Sequence, residues 1–322
     1  MRGLRRASLL ALAVLAVPEL AGHALAGAND LRLVNLCPQA QGPVPGVQPC
    51  SWVKRDASGV AIDTDGLSNF RSLMSELGVV MAPKIPMVAD TLGLAGFSMS
   101  GELGFTQISH NKTFWNGVEA VSPQNPTASR PDSTLTTVGV FLRKGLWFPV
   151  PALEVGGGVI SLLQSQMLFW QTYAKFALHE GYQDLPFPSL AIRAALSYLT
   201  GTDQVNLRTT SLDAFVSKGF GVLKTARLEP FGGLGLILIK ASGKPIDFTP
   251  GTDNDFTATV AFPGQETITR YRFFGGAKLK FGVLAVIGQY EFYPGGTSRD
   301  QSSAVDHSAG QNSFSLSAGL DF

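Results

Sequence analysis

The sequence predicts an all-β fold, a transmembrane antiparallel up-and-down β-barrel of about ten strands. Barrels of about 8 or about 12 strands are the alternatives, since such barrels have an even number of strands. Three observations predict this fold. The last ten residues alternate between apolar and small or polar side chains up to the final Phe. Beyond the first residues of the chain, no window approaches the roughly 18 consecutive apolar residues that a membrane helix needs. The N-terminus has the pattern of an export signal.

The C-terminal segment Ser313–Phe322 has the period of two that places alternate side chains on opposite faces of a strand. One face carries Phe314, Leu316, Ala318, Leu320 and Phe322, and the other carries Ser313, Ser315, Ser317, Gly319 and Asp321. In this segment the chain resembles the bacterial outer-membrane β-barrel proteins, whose final strand ends in an aromatic residue that the assembly machinery reads. The resemblance implies that Phe322 is an insertion signal. It also implies that the outer-membrane assembly machinery and outer-membrane lipid are partners, and that the protein resides in the outer membrane of a Gram-negative bacterium.

The N-terminus has the three parts of a secretory signal peptide. A basic region with Arg2, Arg5 and Arg6 precedes the apolar run Ala7–Val17, and Ala24-Leu25-Ala26 forms a cleavage site before Gly27. The predicted boundaries are residues 1–26 for the signal peptide, 27–90 for an N-terminal periplasmic or plug segment that contains one helix, and 91–322 for the transmembrane barrel.

Charge and cysteine content exclude several functions. The net charge is +1 and the sequence has no basic stripe, so we expect no nucleic-acid partner. Cys37 and Cys50 flank a short proline-rich stretch, and in an exported chain they predict one disulfide. Two thiols without a nearby His supply too few ligands for a metal site. We therefore expect no metal and no cofactor.

The N-terminal segment contains apolar residues at helical spacing, ended by Gly78. They are Leu67, Phe70, Leu73, Met74 and Leu77. This pattern predicts a short amphipathic helix. The helix either packs on the periplasmic rim of the barrel or fills the lumen, and in a channel it would act as a gate or hatch.

Ten later segments have the pattern of membrane-crossing strands, most of them longer than the roughly 9–11 residues that a tilted strand needs. They lie near residues 97–109, 133–143, 151–164, 166–178, 188–200, 204–218, 225–240, 267–281, 283–293 and 312–322. With the C-terminus in the periplasm, the links after the odd-numbered segments are extracellular. In the sixth segment the apolar phase slips between Leu207 and Leu212, which predicts a β-bulge.

Charged side chains opposite the apolar faces are predicted to point into the lumen, because charge on the lipid side is costly. The basic ones are Arg143, Lys175, Arg193, Arg227, Arg270, Arg272, Lys278 and Lys280, and the acidic ones are Glu102, Glu154, Glu229 and Glu291. Two interpretations remain open. The charges either form ion pairs that fill a narrow interior or line a pore that weakly attracts anions.

Two enzyme alternatives rest on predicted outer loops. Asp306-His307 in one loop and Asp253 and Asp255 in another resemble the omptin proteases, a family that is also ten-stranded. The resemblance implies that His307 is a general base oriented by Asp306, with the second pair holding water. Omptins separate the second Asp and His by one residue, whereas here they are adjacent. A lipid-modifying barrel would instead use Ser308 beside His307, without a third partner. The favoured expectation is that the protein is not an enzyme.

A further alternative resembles the long-chain fatty-acid transporter family, in which an N-terminal hatch plugs the barrel. That family has more strands than this sequence, so only the idea of a plug carries over, supported by the helix at 67–77 and Pro83-Lys84-Ile85-Pro86. The sequence therefore predicts a small outer-membrane barrel with a narrow, partly filled lumen. It acts as a passive, porin-like channel for small solutes or as a structural surface protein, and its oligomeric state is left open.

Overall fold

A computed structural model describes residues 27–36, 65–120, 130–146, 148, 152–180, 187–222, 225–245, 262, 264–301 and 304–322. Three predictions lie outside these residues: the signal peptide at 1–26, the disulfide between Cys37 and Cys50, and the acidic pair Asp253 and Asp255. They stay predictions. Among the described residues, no helix is both long and apolar enough to cross a membrane.

The described chain consists of one α-helix, two short 3-10 helices at Leu33–Leu36 and Thr113–Gly117, and eleven strands. The α-helix, α1, spans Asp65–Val80. The strands are β1 (Phe97–Gln107), β2 (Thr134–Leu146), β3 (Leu153–Leu162), β4 (Leu168–His179), β5 (Ser189–Thr200), β6 (Val205–Ser217), β7 (Phe220–Val222), β8 (Ala226–Gly243), β9 (Ile268–Phe281), β10 (Leu284–Tyr293) and β11 (Gln311–Asp321).

Ten of these strands close into an antiparallel barrel, which confirms the predicted fold class and strand number. Each long strand pairs with its neighbours in the chain, and β1 pairs with β11, where Phe105 lies opposite Phe314. β6 also pairs with β8, while the three-residue β7 only extends their hairpin. The closed barrel has no unpaired strand edge among its ten described strands. A membrane-spanning sheet must be closed in this way, because each unpaired backbone amide in the hydrocarbon layer costs several kcal/mol.

The barrel has two different ends. The links that follow β1, β8 and β10 are long, and we call the end at which they lie the loop end. The opposite end, where β11 finishes, is called here the C-terminal end. Phe322 closes the last pair there, since its N–H donates to the carbonyl of Phe97 at 2.8 Å.

The outer wall is apolar and the lumen is polar, as the period of two predicts. On β5, Leu190, Ile192 and Tyr198 are exposed, while Arg193 and Ser197 between them are buried. Large apolar side chains cover the outside of the other strands in the same way. This is the arrangement of a barrel whose wall faces lipid.

The predicted β-bulge in the sixth strand is wrong. Pairing of β6 with β5 and with β8 is regular, and side chains alternate along its whole length. Leu207 points into the lumen and Leu212 points outward. The apolar pattern changes phase because the loop-end half of the lumen is filled by apolar residues, so an inward Leu is favourable there. The observed irregularity lies in β4, between Ala177 and His179.

The run Gly156-Gly157-Gly158 makes room for aromatic side chains inside the barrel. A Cβ on Gly156 would clash with the Tyr173 ring, and one on Gly158 would lie 2.5 Å from the Phe141 ring. Only glycine permits such close approach of a ring to a strand backbone. The Tyr173 hydroxyl can thereby donate to Oε1 of Glu154 at 2.6 Å.

Candidate functional site

The lumen contains a segment of the chain itself, residues 65–92, which we call the plug. Its first part is α1, which contacts β6, β8 and β9 from the inside. Its second part, residues 81–92, runs on toward the C-terminal end and leads into β1. The helix therefore lies within the barrel and not on its C-terminal rim.

Helix α1 has two buried faces of different chemistry. Leu73, Met74 and Leu77 pack in the apolar core that fills the loop-end half of the lumen, and the ring of Phe70 stacks on that of Phe262 at 4.6 Å. The other face is polar and carries Ser68, Arg71, Ser72, Ser75 and Glu76. These polar residues also lie at helical spacing in the sequence, so they could have indicated a second buried face of the helix, but only the apolar residues were considered.

The polar face of α1 is bonded to the loop between β10 and β11. Ser75 Oγ donates to Oδ2 of Asp306 at 2.7 Å, and the N–H groups of Val305 and His307 donate to Oγ of Ser68 and Ser72 at 3.0 and 2.8 Å. Arg71 donates to the carbonyl of Glu266 at 2.9 Å. The helix thus holds two of the long links in place over the barrel.

Glu76 is a second anchor at the loop end. Its carboxylate accepts from the backbone N–H of Ser109 at 2.9 Å, from Nε1 of Trp115 at 2.8 Å and from the N–H of Ala309 at 3.0 Å. All these donors lie in the links after β1 and β10. One buried carboxylate therefore ties the plug to both links.

The extended part of the plug is held by its backbone carbonyls. Five lumen side chains on β4, β5, β9 and β10 donate to them, three of these side chains being cationic. The bonds are Gln171 to Met81 O at 3.0 Å, Arg272 to Pro83 O at 2.8 Å, Gln289 to Lys84 O at 3.1 Å, Arg193 to Ile85 O at 2.7 Å, and Lys175 to Val88 O and Asp90 O at 3.1 and 2.8 Å. Hydrogen bonds from charged donors contribute about 1.5–3 kcal/mol each. Three of the lumen cations thus hold the non-helical part of the plug by its backbone.

Asp213 on β6 is the centre of a buried charge network in the middle of the lumen. It pairs with Arg193 at 2.9 Å and with Arg272, and Arg272 also contacts Glu291 at 3.4 Å. All four side chains are fully or almost fully buried. Asp213 was not predicted to face the lumen, because the bulge wrongly predicted in this strand left its inward-facing side chains unassigned.

The twelve predicted lumen residues all lie on the inner side of the barrel or at its mouth. Ten are buried, whereas the side chain of Arg227 is 51% exposed at the C-terminal end and Lys280 is partly exposed beside it. Two further acidic side chains of the strands point inward, Asp213 and Asp321. The wall therefore carries eight basic and six acidic inward residues in the part that the structure describes. The excess of positive charge is smaller than the sequence predicted.

The loop end carries a second covering formed by residues 27–36. Asp30 accepts from Oγ of Ser165 at 2.7 Å, Gln204 Oε1 accepts from the N–H of Leu33 at 2.7 Å, and Leu31 forms a β-bridge with Val118. Ser165 and Gln204 lie in the two tight links after β3 and β5. The N-terminal segment thus covers the side of the barrel where the links are shortest.

The structure does not bring the predicted enzyme residues together. Asp306 is buried and faces Ser75, while the side chain of the adjacent His307 is exposed. Ser308 is also buried, and its Oγ accepts from Nη1 of Arg270 at 2.7 Å. Within the described residues, no group of three or more His, Cys, Asp or Glu side chains could hold a metal ion.

A cavity of about 290 Å³ lies at the C-terminal end, below the last residues of the plug. Five basic and five acidic side chains line it. Several are paired across it: Lys175 with Glu154 at 3.0 Å, Lys278 with Asp321 at 2.5 Å, and Arg227 with Asp90 at 3.2 Å. This cavity borders both the plug and the barrel wall.

No known protein-family model matches the sequence. No curated protein matches it either. The solved structures to which the chain is similar are bacterial outer-membrane β-barrel proteins. The attachment invasion locus protein Ail of Yersinia pestis is 11% identical, with 71% of this chain and 99% of that chain covered and a TM-score of 0.27. The N-terminal β-barrel domain of Pseudomonas aeruginosa OprF is 14% identical, with 71% and 99% covered and a TM-score of 0.23. The translocator domain of the autotransporter NalP from Neisseria meningitidis is 11% identical, with 72% and 89% covered and a TM-score of 0.34.

Proposed function

We propose that this protein is an outer-membrane barrel that is closed by its own N-terminal plug, a structural surface protein rather than an open porin. In this proposal the wall faces outer-membrane lipid, and the assembly machinery inserts the chain with Phe322 as its signal. The long links lie on the extracellular side because such barrels have short periplasmic turns. Residues 27–36 then lie at the cell surface.

The observation that carries the proposal is the bonding of the plug along its whole length. At the loop end Glu76 and Ser75 are tied to the links, in the middle Arg193 and Arg272 hold the backbone, and near the C-terminal end Lys175 does so. A free pore would leave such cationic side chains solvated. Here they donate to carbonyls and carboxylates, so the plug replaces water as their partner.

Planar-bilayer recordings on the intact protein test this proposal. We expect no stepwise conductance, because a ten-stranded barrel encloses little more space than side chains fill, and here a chain segment occupies it. A salt gradient across the bilayer would report the selectivity of any current. Steady open channels in the intact protein would contradict a closed barrel and support the passive channel for small solutes.

The proposal includes no catalytic activity. We expect that His307→Ala leaves peptide and lipid hydrolysis unchanged, since Asp306 is bonded to Ser75 and not to the imidazole. Assays on purified protein with dibasic peptides and with phospholipid measure this, with His110→Ala as the matched control in another loop. Cleavage by the wild type that His307→Ala abolishes would restore the enzyme alternative.

A further inference from the structure

Two basic side chains lie side by side on the outer wall of the barrel near its loop end. Arg208 on β6 is the cross-strand partner of Lys240 on β8, and both are exposed, while Leu207 and Ile239 beside them point inward. None of the ion pairs among the described residues includes Arg208 or Lys240. Like charges directly opposite each other in a sheet are destabilising, so an anion that contacts both is favourable.

Neighbouring aromatic residues place this cation pair at the level of the lipid headgroups. Tyr198 on β5 is the other cross-strand partner of Arg208, and Trp170 on β4 lies opposite Tyr198. Both aromatic side chains are exposed on the outer wall. Exposed Trp and Tyr side chains of such barrels mark the interface between membrane and water. A cation on the lipid side is costly at the midplane but tolerated at this interface.

An apolar recess of about 610 Å³ lies on the same outer wall, closer to the C-terminal end. The small outward residues Ala174, Ala194 and Ala214 line it, together with larger ones such as Leu212 and Leu236. These two leucines are cross-strand partners, on the same strands as the cation pair. Since a strand rises about 3.3 Å per residue, they lie roughly 13 Å from the cations. One lipid can therefore contact the cations with its headgroup and the recess with an acyl chain.

The charge of the outer wall argues against a second copy of the chain as the occupant of this surface. The acidic side chains of the described strands all point inward, and they are Glu102, Glu154, Asp213, Glu229, Glu291 and Asp321. The outer strands of another copy thus bring no negative charge to Arg208 and Lys240. A symmetric contact between two copies would instead bring the two cation pairs together. An anionic lipid supplies both the missing charge and the apolar chain.

We infer that the outer wall has a specific binding site for an anionic phospholipid in the leaflet at the loop end. The phosphate lies between Arg208 and Lys240, where a guanidinium binds two oxygens and an ammonium acts as a point charge. One acyl chain lies in the recess. The inference rests on the proposed function only in that the wall faces lipid, and it is independent of the plug.

Native mass spectrometry of the intact protein in detergent tests the inference with three probes. Phosphatidic acid is anionic, phosphatidylcholine with the same chains has no net charge, and inorganic phosphate has no chain. We expect phosphatidic acid to bind about 10–30-fold more tightly than phosphatidylcholine, because each basic residue strengthens binding to an anionic headgroup about fivefold. Equal binding of the two lipids would overturn the inference. Displacement of phosphatidic acid by an equal concentration of inorganic phosphate would overturn it in favour of a free anion.

The double variant Arg208→Gln and Lys240→Gln locates the headgroup. It should bind phosphatidic acid about 10–30-fold more weakly and phosphatidylcholine as before. Lys144→Gln is the matched control, because Lys144 is an exposed cation near the C-terminal end that donates to the carbonyl of Ala95 at 2.8 Å. Heat-modifiable migration shows that each variant is folded. Wild-type affinity in the folded double variant would overturn the assignment.

The variant Ala194→Phe fills the recess without changing any charge. It should weaken binding of phosphatidic acid by about two- to fivefold, because the acyl chain loses packing contacts. Ala318→Phe, on the outer face of β11, is the control. A wild-type dimer in the same spectra that Ala194→Phe dissociates would overturn the inference in favour of a second copy. Open channels in bilayer recordings would contradict the closed barrel alone, so the two proposals can fail separately.

Discussion

Deletion of residues 27–90 is expected to convert a silent barrel into a conducting one. The deletion removes α1 and most of the extended plug, together with the hydrogen bonds that occupy Gln171, Arg193, Arg272 and Gln289. Water then enters to solvate these side chains. The conductance should be small, since large aqueous channels belong to barrels of about sixteen strands. With eight basic and six acidic residues on the described wall, the reversal potential in a salt gradient should show a modest preference for anions.

Folding of the deletion variant must be checked, because the plug also covers apolar lumen residues such as Leu207, Ile237 and Ile239. Heat-modifiable migration on gels reports a closed barrel. Gln289→Leu is a milder variant that removes one bond to the plug backbone, and it should increase the frequency of brief openings. Gln166→Leu, on an exposed link, is its control. A folded deletion variant without conductance would show that the wall side chains alone close the lumen, and the plug proposal would fail.

The barrel could be predicted from the sequence because each strand carries the signal of its two faces in its own few residues. Alternation along a strand such as Ser313–Phe322 reflects lipid on one side, and every strand must satisfy this constraint separately. The helix was equally predictable from the apolar spacing between Leu67 and Leu77. Its position was not, because an amphipathic helix has the same pattern whether its apolar face meets a rim or the inside of a barrel.

The side chains inside the lumen were harder to predict, because an inward residue that packs against the plug can be apolar instead of polar. Leu207 and Ile239 are apolar and point inward, since they pack against α1 and its surroundings. Because inward residues were expected to be polar, Leu207 indicated a bulge in β6, and Asp213 was not recognised as a lumen residue. The lumen charges were found, but not all of their partners, since Lys175, Arg193 and Arg272 donate to backbone carbonyls of the plug. A carbonyl has no side-chain signature in the sequence.

Asp213→Asn is expected to lower the free energy of unfolding by about 3–5 kcal/mol, the cost of leaving buried charges without their partner. The substitution keeps the shape of the side chain but removes the negative charge that lies between Arg193 and Arg272. Both guanidinium groups are buried, so water cannot replace the lost carboxylate. Unfolding in urea, followed by tryptophan fluorescence in detergent micelles, measures the change.

Asp203→Asn is the matched control, because Asp203 is exposed on the link after β5 and its change should stay within about 0.5 kcal/mol. Adding Arg193→Met to Asp213→Asn should recover part of the loss, since it removes one of the two unpaired cations. Bilayer recordings on Asp213→Asn and on the double variant also show whether the charge network keeps the plug in place, separately from its effect on stability. Arg193 and Arg272 also hold the carbonyls of Ile85 and Pro83, so their release should make the plug mobile and produce intermittent current. A stable, silent Asp213→Asn protein would show that the network neither stabilises the barrel nor fixes the plug.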